Sequence, residues 1–131
     1  MKSYDRLINA ARGARLKAYA PYSKYKVGAA VLAKSGKIYS GCNVENAAYP
    51  SGLCAERVAI FKAVSEGERE FVALAVVTSN SGSPCGACRQ VFSEFAQDDA
   101  AIILASTQGK RFKQFTMTEI LLDRFSARHL P

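Results

Sequence analysis

The stretch "FVALAVV", residues 71–77, constrains the fold more than any other. It has the length of a strand, is rich in β-branched side chains, and lacks the apolar–polar alternation of a strand with one wet face. Such a strand is stable only with both faces covered, which calls for a sheet with helices on either side. The flanking sequence supplies them. Residues 3 to about 20 place Leu7, Ile8, Ala11, Ala14 and Ala18 near one helical face and stop at Pro21. "KVGAAVLAK" and "KIYSGCNVE" flank Ser35-Gly36 and predict a tight hairpin.

A loop of small residues, "NAAYPSGL", leads to "CAERVAIFKAVSEG", where Ala55, Val58, Ala59, Lys62 and Ala63 recur at helical spacing and Gly67 ends the helix. After the 71–77 strand come a loop, "NSGSP", and a helix over 85 to about 96. "AIILAS" is a buried strand, "RFKQFT" an edge strand, and "TEILLDRF" a final helix capped by Thr118. This order predicts one domain over residues 1–131, of α/β class: a three-layer α/β/α arrangement around a central mixed five-stranded sheet.

The four cysteines bear on the compartment as well as the chemistry. The first twenty residues contain no apolar signal core or small-residue cleavage site, and the longest apolar run falls far short of the ~20 residues that cross a bilayer. A cytoplasmic, reducing setting is therefore expected, where clustered cysteines bind metal or react rather than form bridges. No membrane association is expected. The formal charge of +7 is uneven: residues 1–40 hold nine Lys/Arg and one acid, a balance of +8, and residues 41–131 hold nine and ten, a balance of −1. The basic residues are scattered rather than packed into a run. That reads as a solvated face, so a nucleic-acid partner is not expected.

Cys85 and Cys88 form a C-x-x-C pair, a spacing that serves redox and zinc chemistry equally. Cys54 changes the balance. Like Cys85, it falls where a loop becomes a helix, and helix N-termini favour thiolate. If the two helix starts face each other, three thiolates converge and leave a fourth tetrahedral position open, the pattern of a catalytic rather than a structural zinc. Cys42 reads as a small packed residue of the hairpin, and His129 as a surface residue near the chain's end. Glu56, two residues after Cys54, is placed to act as general acid and base on a water at the metal. Arg57 and Arg89 each directly follow a ligand cluster and are expected to donate to the sulfurs, drawing off negative charge.

At this point the motifs carry a resemblance. "C-A-E" followed about thirty residues later by "P-C-x-x-C" is a zinc deaminase signature. "YAPYSKYKVGAA", "GCNVENAAYP", "CAER", "KAVSEG" and "SPCGACRQ" together resemble the small homotetrameric, zinc-dependent cytidine deaminases of pyrimidine salvage, over residues 12 to 122. The resemblance implies hydrolytic deamination of cytidine and deoxycytidine with release of ammonia. It implies one Zn2+ per subunit on Cys54, Cys85 and Cys88, and Glu56 as proton shuttle. Asn43 and Glu45 would grip the sugar hydroxyls, and Tyr25 stands where the family has a Phe near the base. Ala55 would offer backbone groups to the base edge. Ala48, Tyr49 and the C-terminal Phe125 would contribute at sites shared between subunits of a homotetramer. The C-terminal "LLDRF" departs from the family's L-L-P-x-x-F: it lacks the Pro and is one residue shorter before Phe125. Three other readings stand beside this one: a deaminase of another cytosine-containing substrate, such as a polynucleotide base or a nucleoside antibiotic; a zinc-stabilised RNA-binding module; and a thiol oxidoreductase built on Cys85 and Cys88.

Overall fold

The computed structural model describes residues 3–131. Five strands form one sheet: β1 (Gly28–Ala33), β2 (Ile38–Cys42), β3 (Phe71–Val77), β4 (Ala96–Ala105) and β5 (Phe112–Thr116), in the spatial order β2-β1-β3-β4-β5. All neighbours are antiparallel except β3 and β4, so the sheet is mixed. The hairpin turns at Gly36, whose φ of 95° suits a residue without a Cβ.

The period of two along each central strand sorts its side chains between two cores. Leu74, Val76, Ile102 and Leu104 face one side with Ala29 and Val31; Ala73, Ala75, Ala101 and Ile103 face the other with Ala30. α1 (Asp5–Arg15) covers this second, alanine-rich face through Leu7, Ile8 and Ala11. The small side chains let it sit close. A Cβ on Gly28 would collide with the carbonyl oxygen of Ala11. α2 (Ala55–Ser65), α3 (Gly86–Glu94) and the short α4 (Met117–Ile120) cover the first face, where Phe71 and Phe92 stack at 6.3 Å. The three layers and the five-stranded mixed sheet expected from the sequence are all present. Among the described residues, no helix is long and apolar enough to cross a membrane.

Three boundaries differ from expectation. α1 stops at Arg15, not near residue 20: the N–H groups of Leu16, Lys17 and Ala18 reach back only three residues, and Tyr19 then joins Val44 in a parallel bridge. Tertiary pairing there outweighs helical periodicity. β4 begins at Ala96, where the helix was expected to end and five residues before the expected strand, because Phe71 N–H donates to Phe95 O and Ala96 pairs with Phe71. The last helix is capped by Thr116 rather than Thr118. Thr116 Oγ1 accepts from Glu119 N and Glu119 Oε1 from Thr116 N, a reciprocal box that starts the helix two residues early. Helix ends at Ile120, and Asp123 takes a φ of 47°.

Candidate metal centre and cleft

The chain between β2 and α2 is tied off before it reaches Cys54. Val44 and Leu53 exchange both backbone hydrogen bonds, at 3.0 and 2.9 Å, closing a small loop over residues 45–52 that contains a 3-10 turn (Tyr49–Ser51). The pairing sets Cys54 at the N-cap of α2. On the other side, Gly82 N–H donates to Thr78 Oγ1 at 2.6 Å, which folds the loop after β3 and places Cys85 at the N-cap of α3. Neither cysteine caps its own helix through sulfur. Both sulfurs are free to meet, and with Cys88 from the first turn of α3 all three Sγ atoms lie within 4.8 Å of one another. Cys85 and Cys88 are 3.5 Å apart, sulfur to sulfur.

Thiolates on a tetrahedral zinc, each at about 2.3 Å, stand about 3.8 Å from one another. The three thiols therefore fit a divalent metal of that kind, with the soft donor set zinc accepts. Cys88 is buried, Cys54 partly buried and Cys85 exposed, so the group is open on one side. Cys54 is pushed down to about 5, chiefly because the Cys88 thiol donates to it, with Arg57 adding a hydrogen bond and its charge against the cost of burial. Cys88 is correspondingly pushed up, by its hydrogen bond to Cys54 first and by burial second. Of the pair, Cys54 ionises first.

Glu56 follows in the first turn of α2 and is only 4% exposed. Burial pushes its carboxyl above the usual carboxylate range, and the negative charge on Cys54 pushes the same way. A carboxyl so placed holds a proton more readily than a surface glutamate, which suits a group that must both take and give one. Arg57 Nη2 donates to Cys54 Sγ at 3.3 Å. Its Nε is buried with no partner among the described residues. Arg89 differs from expectation. Its guanidinium donates to Pro84 O at 2.8 Å, Ile120 O at 2.7 Å and Ser83 Oγ at 2.7 Å, and to no sulfur among the described residues.

A cleft of about 450 Å3 opens beside Cys54, lined by Tyr22, Ser23, Asn43, Val44, Glu45, Asn46, Tyr49, Gly52 and Leu53 as well. That volume suits a small organic ligand. Asn43 and Glu45 lie past the end of β2, on the segment bridged to Tyr19 and Leu53 rather than within a named strand. The amide of Asn43 is buried and engaged at both ends, donating to Tyr25 O at 2.8 Å and accepting from Val27 N at 2.9 Å. Glu45 accepts from the backbone N–H groups of Tyr22 and Ser23 and from Ser23 Oγ. Its carboxyl is held below the usual range, first by the Ser23 hydroxyl.

Tyr49 is 74% exposed at the cleft's rim and meets Tyr22 edge-on at 5.7 Å. Ala48 is exposed just before it, and Ala55 is wholly buried at the start of α2. Tyr25 does not line the cleft; its hydroxyl donates to Asn80 Oδ1 at 2.7 Å, on the loop that leads to Cys85. Phe125 lies away from the cleft, on the C-terminal tail, stacked on His129 at 5.5 Å. His129 is exposed, as expected, and Cys42 sits in β2 opposite Gly28, outside the thiol group. The sequence reading missed Ser23 and Asn80. Both act through contacts far along the chain, and neither spacing nor composition marks them.

Comparison with known proteins agrees with this geometry. The model of the cytidine and deoxycytidylate deaminase zinc-binding region matches residues 1–105. The cytidine deaminase of Sporosarcina psychrophila is 49% identical over 128 residues, 96% of this chain and 93% of that protein. That of Halalkalibacterium halodurans is 48% identical over 123 residues, 92% of each. The crystal structure of cytidine deaminase from Burkholderia pseudomallei superposes with a TM-score of 0.87 at 45% identity, covering 95% of this chain and 100% of that one.

Proposed function

The chain belongs to the cytidine and deoxycytidylate deaminase zinc-binding family, and on that premise we propose that it hydrolyses cytidine and deoxycytidine to uridine and deoxyuridine, releasing ammonia. The reading makes it a one-domain enzyme over residues 1–131. One Zn2+ per subunit is held by Cys54, Cys85 and Cys88. Zinc in such a site supplies a Lewis acid that brings the pKa of a water towards neutrality.

The chain's own residues do the rest. Glu56 takes a proton from the attacking water and gives it to ring nitrogen N3, so that carbon 4 accepts the water's oxygen. It then takes the second proton from the hydroxyl now on carbon 4 and passes it to the exocyclic amine, so that the C4–N bond breaks, ammonia leaves and a carbonyl forms at carbon 4. The raised pKa of Glu56 suits both transfers. Arg57 offsets the negative charge that three thiolates place on a divalent metal. In the cleft, Glu45 and the remaining donor of Asn43 bind the sugar hydroxyls, Tyr22 and Ser23 holding the carboxylate in place. Ala55 offers backbone groups to the edge of the base, and Tyr25 acts from outside the cleft, through Asn80 on the loop that leads to Cys85. Tyr49, Ala48 and Phe125 contribute across subunit boundaries of a homotetramer, and the enzyme works in the cytoplasm. Arg89 serves the site through the ligand turn rather than through sulfur.

The observation that carries the reading is the meeting of three thiols beside a buried Glu56 and an open cleft. Ammonia release from cytidine, deoxycytidine, cytosine and CMP, with zinc quantified and the solution mass determined, tests it. Turnover of the two nucleosides by a protein with one zinc per chain is the expected result. A zinc-loaded protein inert towards all four would favour another cytosine-containing substrate or an RNA-binding role.

A further inference from the structure

The N-cap and first five residues of α3 carry two kinds of side chain. Cys85 and Cys88 face the thiol group, while Arg89 and Gln90 hold the C-terminal tail. Arg89 Nη1 donates to Ile120 O, the last carbonyl of α4, and Gln90 Nε2 donates to Phe125 O at 2.9 Å. The other two arms of the guanidinium end on the turn before Cys85: Nε on Pro84 O and Nη2 on Ser83 Oγ. Pro84 O belongs to the peptide that leads into Cys85, so a donor fixed on it fixes the plane of that peptide. That plane and the Cys85 φ of −68° fix the direction of its Cβ, and so the arc on which its sulfur can lie. A planar fork donating in three directions does this; a single ammonium does not.

We propose that Arg89 is a positioning residue that couples the metal-ligand turn to the C-terminal tail. It holds Cys85 in ligand geometry and docks the tail at Ile120 in the same act. The proposal rests on the reading that Cys54, Cys85 and Cys88 hold a metal. Coupling of this kind is reciprocal: metal held by Cys85 steadies the turn that holds Arg89, and a docked tail steadies the turn that holds the metal.

The experiment compares metal-loaded wild type with Arg89→Gln, Arg89→Lys and Gln90→Ala. Three quantities are read: the rate of zinc transfer to excess chelator, the thiolate charge-transfer spectrum of the cobalt(II)-loaded proteins, and tryptic cleavage after Arg124 and Arg128. Arg89→Gln is expected to release zinc roughly 10–100-fold faster, the range for loss of a group that orients a metal ligand. It should also shift the cobalt spectrum and speed tail cleavage. Arg89→Lys should fall between it and wild type, and carries the test if the glutamine variant does not fold. Gln90→Ala, which loses a tail contact but keeps the Arg89–Ile120 bond, should speed cleavage and accelerate zinc release far less than Arg89→Gln does.

Wild-type release and spectrum in the Arg89 variants would overturn the proposal, as would equal acceleration of zinc release by Gln90→Ala. Wild type that takes up no metal would instead sink the metal reading, and this proposal with it.

Discussion

The guanidinium of Arg57 reaches back one helical turn to set Nη2 3.3 Å from Cys54 Sγ. It thereby places a permanent positive charge on the sulfur that ionises first. Three thiolates outweigh a divalent cation by one negative charge, which makes any water at the metal less acidic. Arg57→Gln keeps some hydrogen bonding and removes the charge. It should lower kcat per bound zinc by roughly 10–100-fold. Unchanged kcat at full zinc occupancy would refute the charge argument.

Glu56→Gln tests the proton shuttle with little change of volume. A positioned acid and base contributes about 10²–10⁴-fold, and a loss in that range is expected with zinc content intact. Single-turnover ammonia release, with metal analysis of the same sample, reads both. A variant that keeps most of its turnover would assign the proton transfer elsewhere.

Ser23→Ala addresses the cleft wall. The Ser23 hydroxyl is the first cause holding the Glu45 carboxyl below the ordinary 4.5 of a glutamate. A folded pKa below the unfolded one means the stabilisation is complete above about pH 4.5 and is lost as pH falls through the folded value. Removing the hydroxyl should raise the Glu45 titration midpoint, followed by its carboxyl carbon in NMR. The variant should be less stable than wild type at neutral pH, the gap closing in acid. A gap that widened in acid would contradict this sign.

Gly41→Ala probes how closely β2 and α2 pack. The added Cβ would stand 2.7 Å from Ala59 N and 2.8 Å from Val58 Cγ1, too near for either to stay in place. Overpacking of this kind costs about 1–3 kcal/mol. A lower urea midpoint with an unchanged slope is the expected result. An unchanged midpoint would mean that α2 shifts freely, and with it Cys54.

The parts of this structure readable from the sequence are those that a local pattern specifies. Residues 71–77 have no wet face, so β3 had to be central, and the Ser35-Gly36 turn had to separate two strands. Cys54 and Cys85 stand at helix starts because each follows a loop and precedes a helical repeat. What was not readable depends on partners distant along the chain. α1 ends early because Tyr19 pairs with Val44. The Thr116 cap is the exception: it is local and was legible, since only Thr116 has a Glu three residues on. Arg89 sits directly beside a ligand, which suggested a sulfur partner. Its acceptors include Ile120 O, which only the folded chain brings near.

The three thiols proposed to hold the metal are split between two pieces of chain that meet through the sheet. Cys54 follows the β1–β2 hairpin, and Cys85 and Cys88 follow β3, whose pairing with β1 joins residues as far apart as Gly28 and Val77. Long-range pairing of this kind is the slow part of building a sheet. Before it happens, a nascent chain offers one lone thiol and one pair, neither of which makes a three-thiol site. A metal seated on all three thus arrives after the central strands have closed. On the proposed ligand set, zinc retention would be a record of correct assembly, and a chain misregistered at β1–β3 would be distinguishable in a cell extract by its empty centre.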